Sequence, residues 1–229
     1  MKKKCDAQPY RGEHAALMVD ELDVIWPGEA FDGPMQMALD EVLLQSVKRP
    51  TLRIYRWAAP CVTFGYFQPH ALVSELHSGL PAVRRWTGGG IVVHGKDLTF
   101  SLMIPAGDPL SDTAPTRFYR NLHGAVAVAL GGVLAGDGEI AEGPSCFASP
   151  SRDDLMVGGR KVLGGAIRRS GGALLYQGSL LTLSGHDGEI LSSSLGRTCR
   201  SRGLETEEIS AARVVGEERY ATMSWNRRR

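Results

Sequence analysis

A glycine-rich segment at residues 84–94 has the residue types of a binding site. Two arginines and a tryptophan precede a threonine and three glycines, and an apolar run then ends at a histidine. Glycines at a strand edge leave backbone that a ligand chain can approach closely, while arginines offer donors to a carboxylate or phosphate. The histidine can move a proton or hold a loop. The segment predicts a site for a long, partly anionic, acyl-bearing ligand, with the candidate contacts Arg84, Arg85, Thr87, Gly88, Gly89, Gly90 and His94.

The same segment has a structural alternative, in which a strand carries a glycine bulge and two solvated arginines.

A second candidate, Lys161, lies beside a predicted β-hairpin. Residues 155–157 and 161–163 alternate in hydrophobicity around two glycines, which indicates a tight turn. Gly164 and Ala166 follow the lysine, and their small side chains leave room for a ligand. The ordinary alternative is a lysine that points into solvent.

The four cysteines, Cys5, Cys61, Cys146 and Cys199, form no CxxC pair and have no spacing typical of zinc ligands. No metal site is therefore predicted. A cysteine can also act as a nucleophile, especially where nearby positive charge lowers the pKa of its thiol. Cys199 lies among arginines that would have this effect.

The hydrophobic pattern predicts the elements that position these residues. Apolar stripes at helical spacing predict helices over 34–44 and 116–134, the second ending near Gly131. Strands are predicted over 51–57, 61–64, 98–104 and 173–181, and a strand or a turn over 21–26. Strand pairs followed by a helix and then more strands indicate an α+β fold, in which helices cover one face of a mixed sheet.

The composition fits one domain. The 229 residues are 43% hydrophobic and 22% charged, with a formal net charge of +1, which gives no support for nucleic-acid binding. No apolar run approaches the ~20 residues of a membrane span, and the polar N-terminus lacks the apolar region of a signal peptide. We expect a cytoplasmic protein with a single domain over 1–229. Its core is expected at about 21–183, with a lead-in at 1–20 and a polar C-terminal extension at 184–229.

Several strings of the sequence resemble the biotin/lipoate protein ligase superfamily, whose members load a biotinyl, lipoyl or octanoyl group onto a lysine of a carrier domain. Residues 84–94 resemble its RRxTGG…H segment, 34–44 its NMALDEALL helix, and 154–166 its DLxVxGRKIxGxA element. The resemblance implies that Lys161 meets the acyl carbonyl and that Tyr66 and Phe67, in a GYFQ string, line the acyl pocket. Residues 173–181 resemble the LQHGSLL strand, with Gln177 in place of its histidine. A proton-carrying role would then be vacant or taken by His94.

The surroundings of Cys146 point to one branch of the superfamily. They resemble the ACFxxPSxxDLxVxGRK segment of the cysteine-dependent octanoyltransferases, which otherwise resemble lipoate-protein ligase A. This resemblance implies that Cys146 is the nucleophile. Cys199 is the rival, because it falls near the position of the cysteine in the other octanoyltransferase branch. Residues 87–90 read TGGG, as in ligases, where the transferase branch has TGGR.

The transferase interpretation implies two steps and no cofactor. Cys146 takes an octanoyl or lipoyl group from acyl carrier protein, with Lys161 and backbone N–H groups near the glycines stabilising the oxyanion. The acceptor is a lysine of a lipoyl domain of a 2-oxoacid dehydrogenase or of the glycine-cleavage carrier protein. Arg84 and Arg85 would meet the pantetheine phosphate or an acidic carrier surface.

Two alternatives remain open at this stage. An ATP-dependent lipoate-protein ligase would bind ATP and Mg²⁺ and form lipoyl-AMP, with Arg84, Gly89 and Lys161 on the phosphates. It would need a separate partner subunit, since residues 184–229 are too few for an accessory domain. A non-catalytic member would bind an acyl group or a carrier domain without transfer.

Overall fold

A computed structural model describes residues 18–136, 151–181 and 184–228 of the chain. Its strands are β1 Val19–Ile25, β2 Thr51–Tyr55, β3 Cys61–Phe64, β4 Ala82–Arg84, β5 Ile91–His94, β6 Asp97–Ile104, β7 Val133–Leu134, β8 Leu155–Val157, β9 Arg160–Ser170, β10 Ala173–Leu181 and β11 Gly196–Arg202. Its α-helices are α1 Gly33–Ser46, α2 His70–Leu76, α3 Pro115–Leu130, α4 Asp187–Leu195, α5 Thr206–Val215 and α6 Met223–Asn226. The two predicted long helices and the hairpin at Gly158 and Gly159 are present at the expected places.

Eight strands form one mixed sheet in the order β11-β1-β2-β6-β10-β9-β8-β7. The β1 strand pairs in parallel with both of its neighbours, and the remaining pairs are antiparallel. The α+β class with a mixed sheet is therefore confirmed. The centre of this sheet is β6, which is buried along its whole length.

The structure corrects the prediction that helices cover one face of the sheet, because they lie on both. Leu102 packs with α3 and α4 in the main core, whereas its neighbour Met103 packs with Leu43 and Leu44 of α1. Adjacent residues of a strand point to opposite faces, so the two helical layers are on opposite sides. Both faces of β6 are buried along its whole length, which requires this double cover.

A second sheet of three strands, in the order β4-β3-β5, lies on the α1 side. Its contact with α1 is close: a Cβ placed on Gly33 would lie 2.8 Å from Val83 Cγ1. The hydrophobic residues Val62, Phe64 and Ile91 pack against Val73 of α2 on this sheet. This arrangement leaves a gap between the small sheet and the large one, which holds the candidate site.

The C-terminal residues, predicted as a polar extension, fold against α1 and β4. Tyr220 Oη donates to Glu41 Oε2 at 2.7 Å, and Ala212 of α5 packs with Met37 and Ala38 of α1. Asn226 of α6 accepts a hydrogen bond from the backbone N–H of Arg84 at 2.8 Å. The C-terminal residues thus stabilise the small sheet through its strand β4.

Replacing Asn226 with alanine tests whether these C-terminal contacts stabilise the fold. The side chain of Asn226 also donates to the carbonyls of Tyr220 and Thr222, and it is buried. The substitution leaves the buried N–H of Arg84 without an acceptor, so we expect the free energy of unfolding to fall by about 1–3 kcal/mol. Urea unfolding measures the change. Ser224→Ala, at an exposed position in the same helix, should change the free energy of unfolding by no more than about 0.5 kcal/mol. An equal loss of stability in the two variants would contradict a stabilising role for Asn226.

Candidate active site

A cavity lies between the two sheets and α1. Six of the predicted site residues line it: Arg85, Gly89, His94, Lys161, Gly164 and Ala166. Its apolar wall consists of Met37, Tyr55, Trp57 and Val92. A mostly apolar cavity with a few convergent polar groups is typical of a small-molecule site.

The glycine segment forms one edge of this cavity, and the backbone of Gly88 and Gly89 packs closely against Gly65. A Cβ on Gly65 would lie 2.0 Å from the carbonyl oxygen of Gly89, and Gly89 itself has φ +84°. Arg85 holds the segment in place, because its guanidinium donates to the carbonyls of Gly88 and Gly90, each at 2.9 Å. Arg85 therefore shapes the edge of the cavity as well as lining it.

Lys161 lies at the opposite side of the cavity, where β9 leaves the hairpin. Its side chain is only 4% exposed, and Nζ lies 2.7 Å from Asp154 Oδ2. Burial raises the pKa of Asp154, and the ammonium group of Lys161 opposes this effect. Gly164 makes room for the lysine, since a Cβ there would lie 2.8 Å from Lys161 Cε. The sequence thus supplies a buried ammonium group held in one position.

The strand that carries Lys161 is supported from behind by side chains of α3 and β10. Tyr119 Oη accepts from the backbone N–H of Gly165 at 2.6 Å. His123 pairs with the carbonyl of Asp153 and with Tyr176 Oη, both at 2.7 Å, and burial lowers its pKa to about 3. Asp153 has a φ of 67°, a conformation that is unusual for a residue other than glycine. His123 therefore stabilises the turn that presents Asp154 to Lys161.

A polar network around Asp40 of α1 forms the floor of the cavity. Its carboxylate accepts from Arg53, Ser101 and Gln177, at 2.7, 2.5 and 2.7 Å. Gln177 in turn accepts from Thr87 Oγ1 at 2.6 Å. Gln177, the residue that replaces the histidine of the family pattern, thus ties α1 to the glycine segment. An amide does not titrate, so this position carries no proton.

His94 is held by partners on both of its ring nitrogens. Nδ1 lies 2.8 Å from Asp97 Oδ2, and Nε2 lies 2.8 Å from Thr63 Oγ1. Burial lowers the pKa of His94, outweighing the opposing effect of Asp97. Thr63 accepts from Arg85 Nη1 at 2.7 Å, so its hydroxyl hydrogen points to a neutral His94. His94 therefore links Arg85 to Asp97, and neither ring nitrogen is available to act as a base on a ligand.

The pair of Asp97 and His94 should make folding sensitive to acid. Burial would raise the pKa of Asp97, but hydrogen bonds from His94, Ser179 and the Gly95 N–H lower it to about 2. A carboxyl with a depressed pKa stabilises the fold above its unfolded pKa, and this stability is lost as the pH falls from about 4 to 2. His94 acts in the same direction from about pH 6.5 downward, since the unfolded chain takes up a proton that the fold disfavours.

We expect Asp97→Asn to lose roughly 2 kcal/mol of stability at pH 7 and the steep decline between pH 4 and 2. Unfolding in urea across pH 2–8 measures both effects. Asp20→Asn, a change at an exposed carboxylate on β1, is the control and should follow the parent chain. Parallel curves for Asp97→Asn and the parent chain would contradict the assignment.

Six predicted contacts are not among the residues that line the cavity: Arg84, Tyr66, Phe67, Thr87, Gly88 and Gly90. The last three belong to the glycine segment at its edge. The guanidinium of Arg84 is buried and donates to the carbonyls of Tyr66, Gln68 and Asn226, which favours a structural role over contact with a ligand. Tyr66 packs edge-on against Trp225, and Phe67 is 68% exposed. The apolar wall is formed by Met37, Tyr55, Trp57 and Val92 instead.

The two candidate nucleophiles have different outcomes. Cys146 lies outside the described residues, so its assignment stays a prediction. Cys199 is exposed on β11, which is separated from β9 by four strands of the large sheet. Burial raises the pKa of its thiol, contrary to the expected effect of the arginines. Its position and its pKa both argue against Cys199 as the nucleophile.

Sequence reasoning missed several residues of the site. Asp40, Thr63, Asp97 and Asp154 hold the groups that line the cavity, and Trp57 stacks on His94 with 4.3 Å between ring centroids. The sequence offered a signal for Asp40, which is a carboxylate within the apolar stripe of a predicted helix. A buried charge is normally paired, so this position predicts a charged or polar partner. In the three described ranges, no helix is long and apolar enough to cross a membrane, and no group of three or more potential ligand side chains is arranged to hold a metal ion.

Comparison with proteins of known sequence gives consistent relatives. The protein from Moorella thermoacetica named octanoyltransferase LipM is 36% identical over 170 residues, which cover 66% of this chain and 62% of that protein. The octanoyltransferase LipM of Carboxydothermus hydrogenoformans is 34% identical over 194 residues, 78% of this chain and 70% of that protein. The chain thus spans a little under two thirds of the first relative's length.

Solved structures support the fold. A bi-partite lipoate protein ligase from Thermoplasma acidophilum has a TM-score of 0.69 at 23% identity, covering 92% of this chain and 96% of that one. A lipoate-protein ligase A bound with ATP has a TM-score of 0.67 at 24% identity, covering 92% and 99%. At this identity the likeness concerns the fold alone. The family model for the lipoyl protein ligase A/B catalytic domain matches residues 32–211. The chain therefore belongs to the lipoyl protein ligase A/B catalytic domain family.

Proposed function

We propose that the chain transfers an octanoyl group from a pantetheine thioester on acyl carrier protein to a lysine of a lipoyl-carrier domain, through a thioester on Cys146. The observation that carries this proposal is the buried pair of Lys161 and Asp154 at one side of an apolar cavity. A fixed ammonium group beside space for an acyl chain suits the stabilisation of a carbonyl oxygen that becomes negatively charged. The names of the two relatives support the same activity.

The chain connects this pair to the segment that contains Cys146. Asp154 Oδ2, which binds Lys161, also accepts from the backbone N–H of Ser151 at 2.6 Å. Ser151 follows Cys146 by five residues, and five residues span at most about 17 Å when extended. The chain therefore keeps Cys146 within about 17 Å of Ser151, whose N–H shares the Asp154 carboxylate with the ammonium group, and this supports the assignment of Cys146 over Cys199.

In the first step the Cys146 thiolate attacks the thioester carbonyl. A sulfur–carbon bond forms to Cys146, the bond to the pantetheine sulfur breaks, and the leaving thiolate takes up the proton that Cys146 gave up. The Lys161 ammonium group faces the carbonyl oxygen, which carries negative charge in the tetrahedral intermediate. Exchange between two thioesters is nearly balanced in energy, so the enzyme only needs to lower the barrier.

In the second step the amine of the carrier lysine attacks the acyl group on Cys146. An amide bond forms and the cysteine thiol is released, which makes this step strongly favourable. The apolar wall formed by Trp57, Tyr55 and Met37 holds the octanoyl chain between the steps. No cofactor is required, because the acyl group arrives already activated. The expected cytoplasmic location and the identity of the acceptor protein stay predictions.

An ATP-dependent ligase is the second candidate, and the TGGG string favours it. It would require ATP and Mg²⁺ to make an acyl-adenylate. One experiment separates the two: a lipoyl domain is incubated with the purified chain and either octanoyl–acyl carrier protein without ATP, or octanoate with ATP and Mg²⁺. We expect the domain to gain an octanoyl group only in the first mixture. Loading only in the second would establish the ligase, and loading in neither would leave a binding protein.

A further inference from the structure

A cluster of aromatic rings and arginines lies at the opening of the cavity. The guanidinium carbon of Arg168 is 5.3 Å from the ring centroid of Tyr66 and 5.1 Å from that of Trp86. The guanidinium carbon of Arg228 is 4.8 Å from the ring centroid of Tyr66 and 4.9 Å from that of Trp225. We call Tyr66, Trp86, Trp225, Arg168 and Arg228 the arginine–aromatic cluster.

The two guanidinium groups of this cluster are close together without a counter-charge. Both lie within 5.3 Å of one ring centroid, so they are no more than about 10 Å apart. Within the described ranges, neither forms an ion pair, and the buried Nε of Arg168 has no hydrogen-bond partner. A buried donor without an acceptor is costly, and two like charges repel. An anion bound between them would remove both costs.

The cluster is placed on the path that leads into the cavity. Ala166 lines the cavity and lies against Gly89, which is itself exposed and so marks the opening. Arg168 follows Ala166 by two residues on β9, so its side chain projects from the same face about 7 Å further out. Trp86 lies within the glycine segment, two residues before its first glycine. The arginines therefore stand just outside the glycine edge.

The spacing along β9 fits the arm of a pantetheine thioester. Gly164, where an added Cβ would lie 3.0 Å from Lys161 Nζ, is four residues from Arg168, or about 13 Å along a strand. About a dozen atoms separate the thioester sulfur from the phosphate of that arm. This equals the backbone of about four residues, roughly 13–14 Å when extended. A thioester placed at Lys161 therefore puts its phosphate at Arg168.

We propose that the arginine–aromatic cluster binds the phosphodiester of the donor's phosphopantetheine arm, with Arg168 as the main contact and Arg228 as the second. This inference rests on the proposed function, because it assigns the donor of that reaction. It moves the phosphate contact from Arg84 and Arg85, which hold backbone carbonyls, to two arginines that lack an anionic partner among the described residues. Arginine suits the role because its planar fork can donate two hydrogen bonds to one phosphate.

The test uses two unreactive probes, octanamide analogues of octanoyl-phosphopantetheine and octanoyl-pantetheine, which differ only in the phosphate. Calorimetry of the purified full-length chain should show that the phosphorylated probe binds roughly tenfold tighter or more. Arg168→Gln should reduce this ratio to about twofold or less, with little change in affinity for the other probe. Arg228→Gln, at an exposed position near the chain end, should reduce it partly. Arg197→Gln, at the far edge of the sheet, is the control and should preserve it.

Equal affinity of the parent chain for the two probes would overturn the proposal, and this result needs no variant to fold. A full phosphate preference in both Arg168→Gln and Arg228→Gln would also overturn it. Neither probe can be transferred, so the outcome is independent of turnover. Failure of the proposed function would appear separately, as no loading from octanoyl–acyl carrier protein without ATP.

Discussion

Replacing Lys161 with methionine is expected to lower kcat for octanoyl transfer by about 100- to 1,000-fold, because removing one preorganised donor to an oxyanion typically has this effect. The KM for octanoyl–acyl carrier protein should change little, since the interaction develops only as the carbonyl oxygen becomes charged. Steady-state loading of a lipoyl domain measures both constants.

This variant also leaves the buried carboxylate of Asp154 without its partner, which can cost about 3–5 kcal/mol of stability. The double variant Lys161→Met, Asp154→Asn removes both charges and is the matched control. We expect it to regain most of the lost stability in urea unfolding while staying as inactive as the single variant. Recovery of activity together with stability would show that Lys161 only supports the fold.

Replacing Cys146 with alanine is expected to have the larger effect, a loss of at least about 1,000-fold in the rate of transfer from acyl carrier protein. The residual rate would come from direct attack of the acceptor lysine on a bound thioester. Cys199→Ala should stay within about twofold of the parent chain, because Cys199 lies at the far edge of the large sheet with a raised thiol pKa. The reverse pattern would make Cys199 the nucleophile.

Local patterns in the sequence predicted the parts of the site that depend on backbone shape. The glycine segment and the hairpin before Lys161 were found because glycines mark close approaches and tight turns wherever they occur. The same reasoning did not predict the position of Arg84, because two features of the fold hold this residue outside the cavity. These are the carbonyls of the 65–68 turn and Asn226, and Asn226 lies 142 residues away in sequence.

The side-chain network could not be predicted because its members are distant in sequence and meet only in the folded chain. Asp40 and Gln177 are 137 residues apart, yet their side chains are joined at 2.7 Å. Nor does a strand pattern show which faces a helix will cover. The residues of β6 alternate between apolar and mostly polar, as in a half-buried strand, yet both faces are buried and Met103 packs against α1. The sequence pattern of an aromatic residue also does not show what its ring contacts. Tyr66 was predicted to line the acyl pocket, but its ring packs against Arg168 and Arg228.

The central claim is that the acyl group passes through Cys146. The most direct test mixes the purified chain with octanoyl–acyl carrier protein in the absence of ATP, measures the intact protein mass, and then adds a lipoyl domain. We predict an octanoyl adduct on the parent chain and on Cys199→Ala, its absence from Cys146→Ala, and its discharge onto the lipoyl domain. An adduct that persists in Cys146→Ala, or a lipoyl domain loaded at full rate by that variant, would contradict the account.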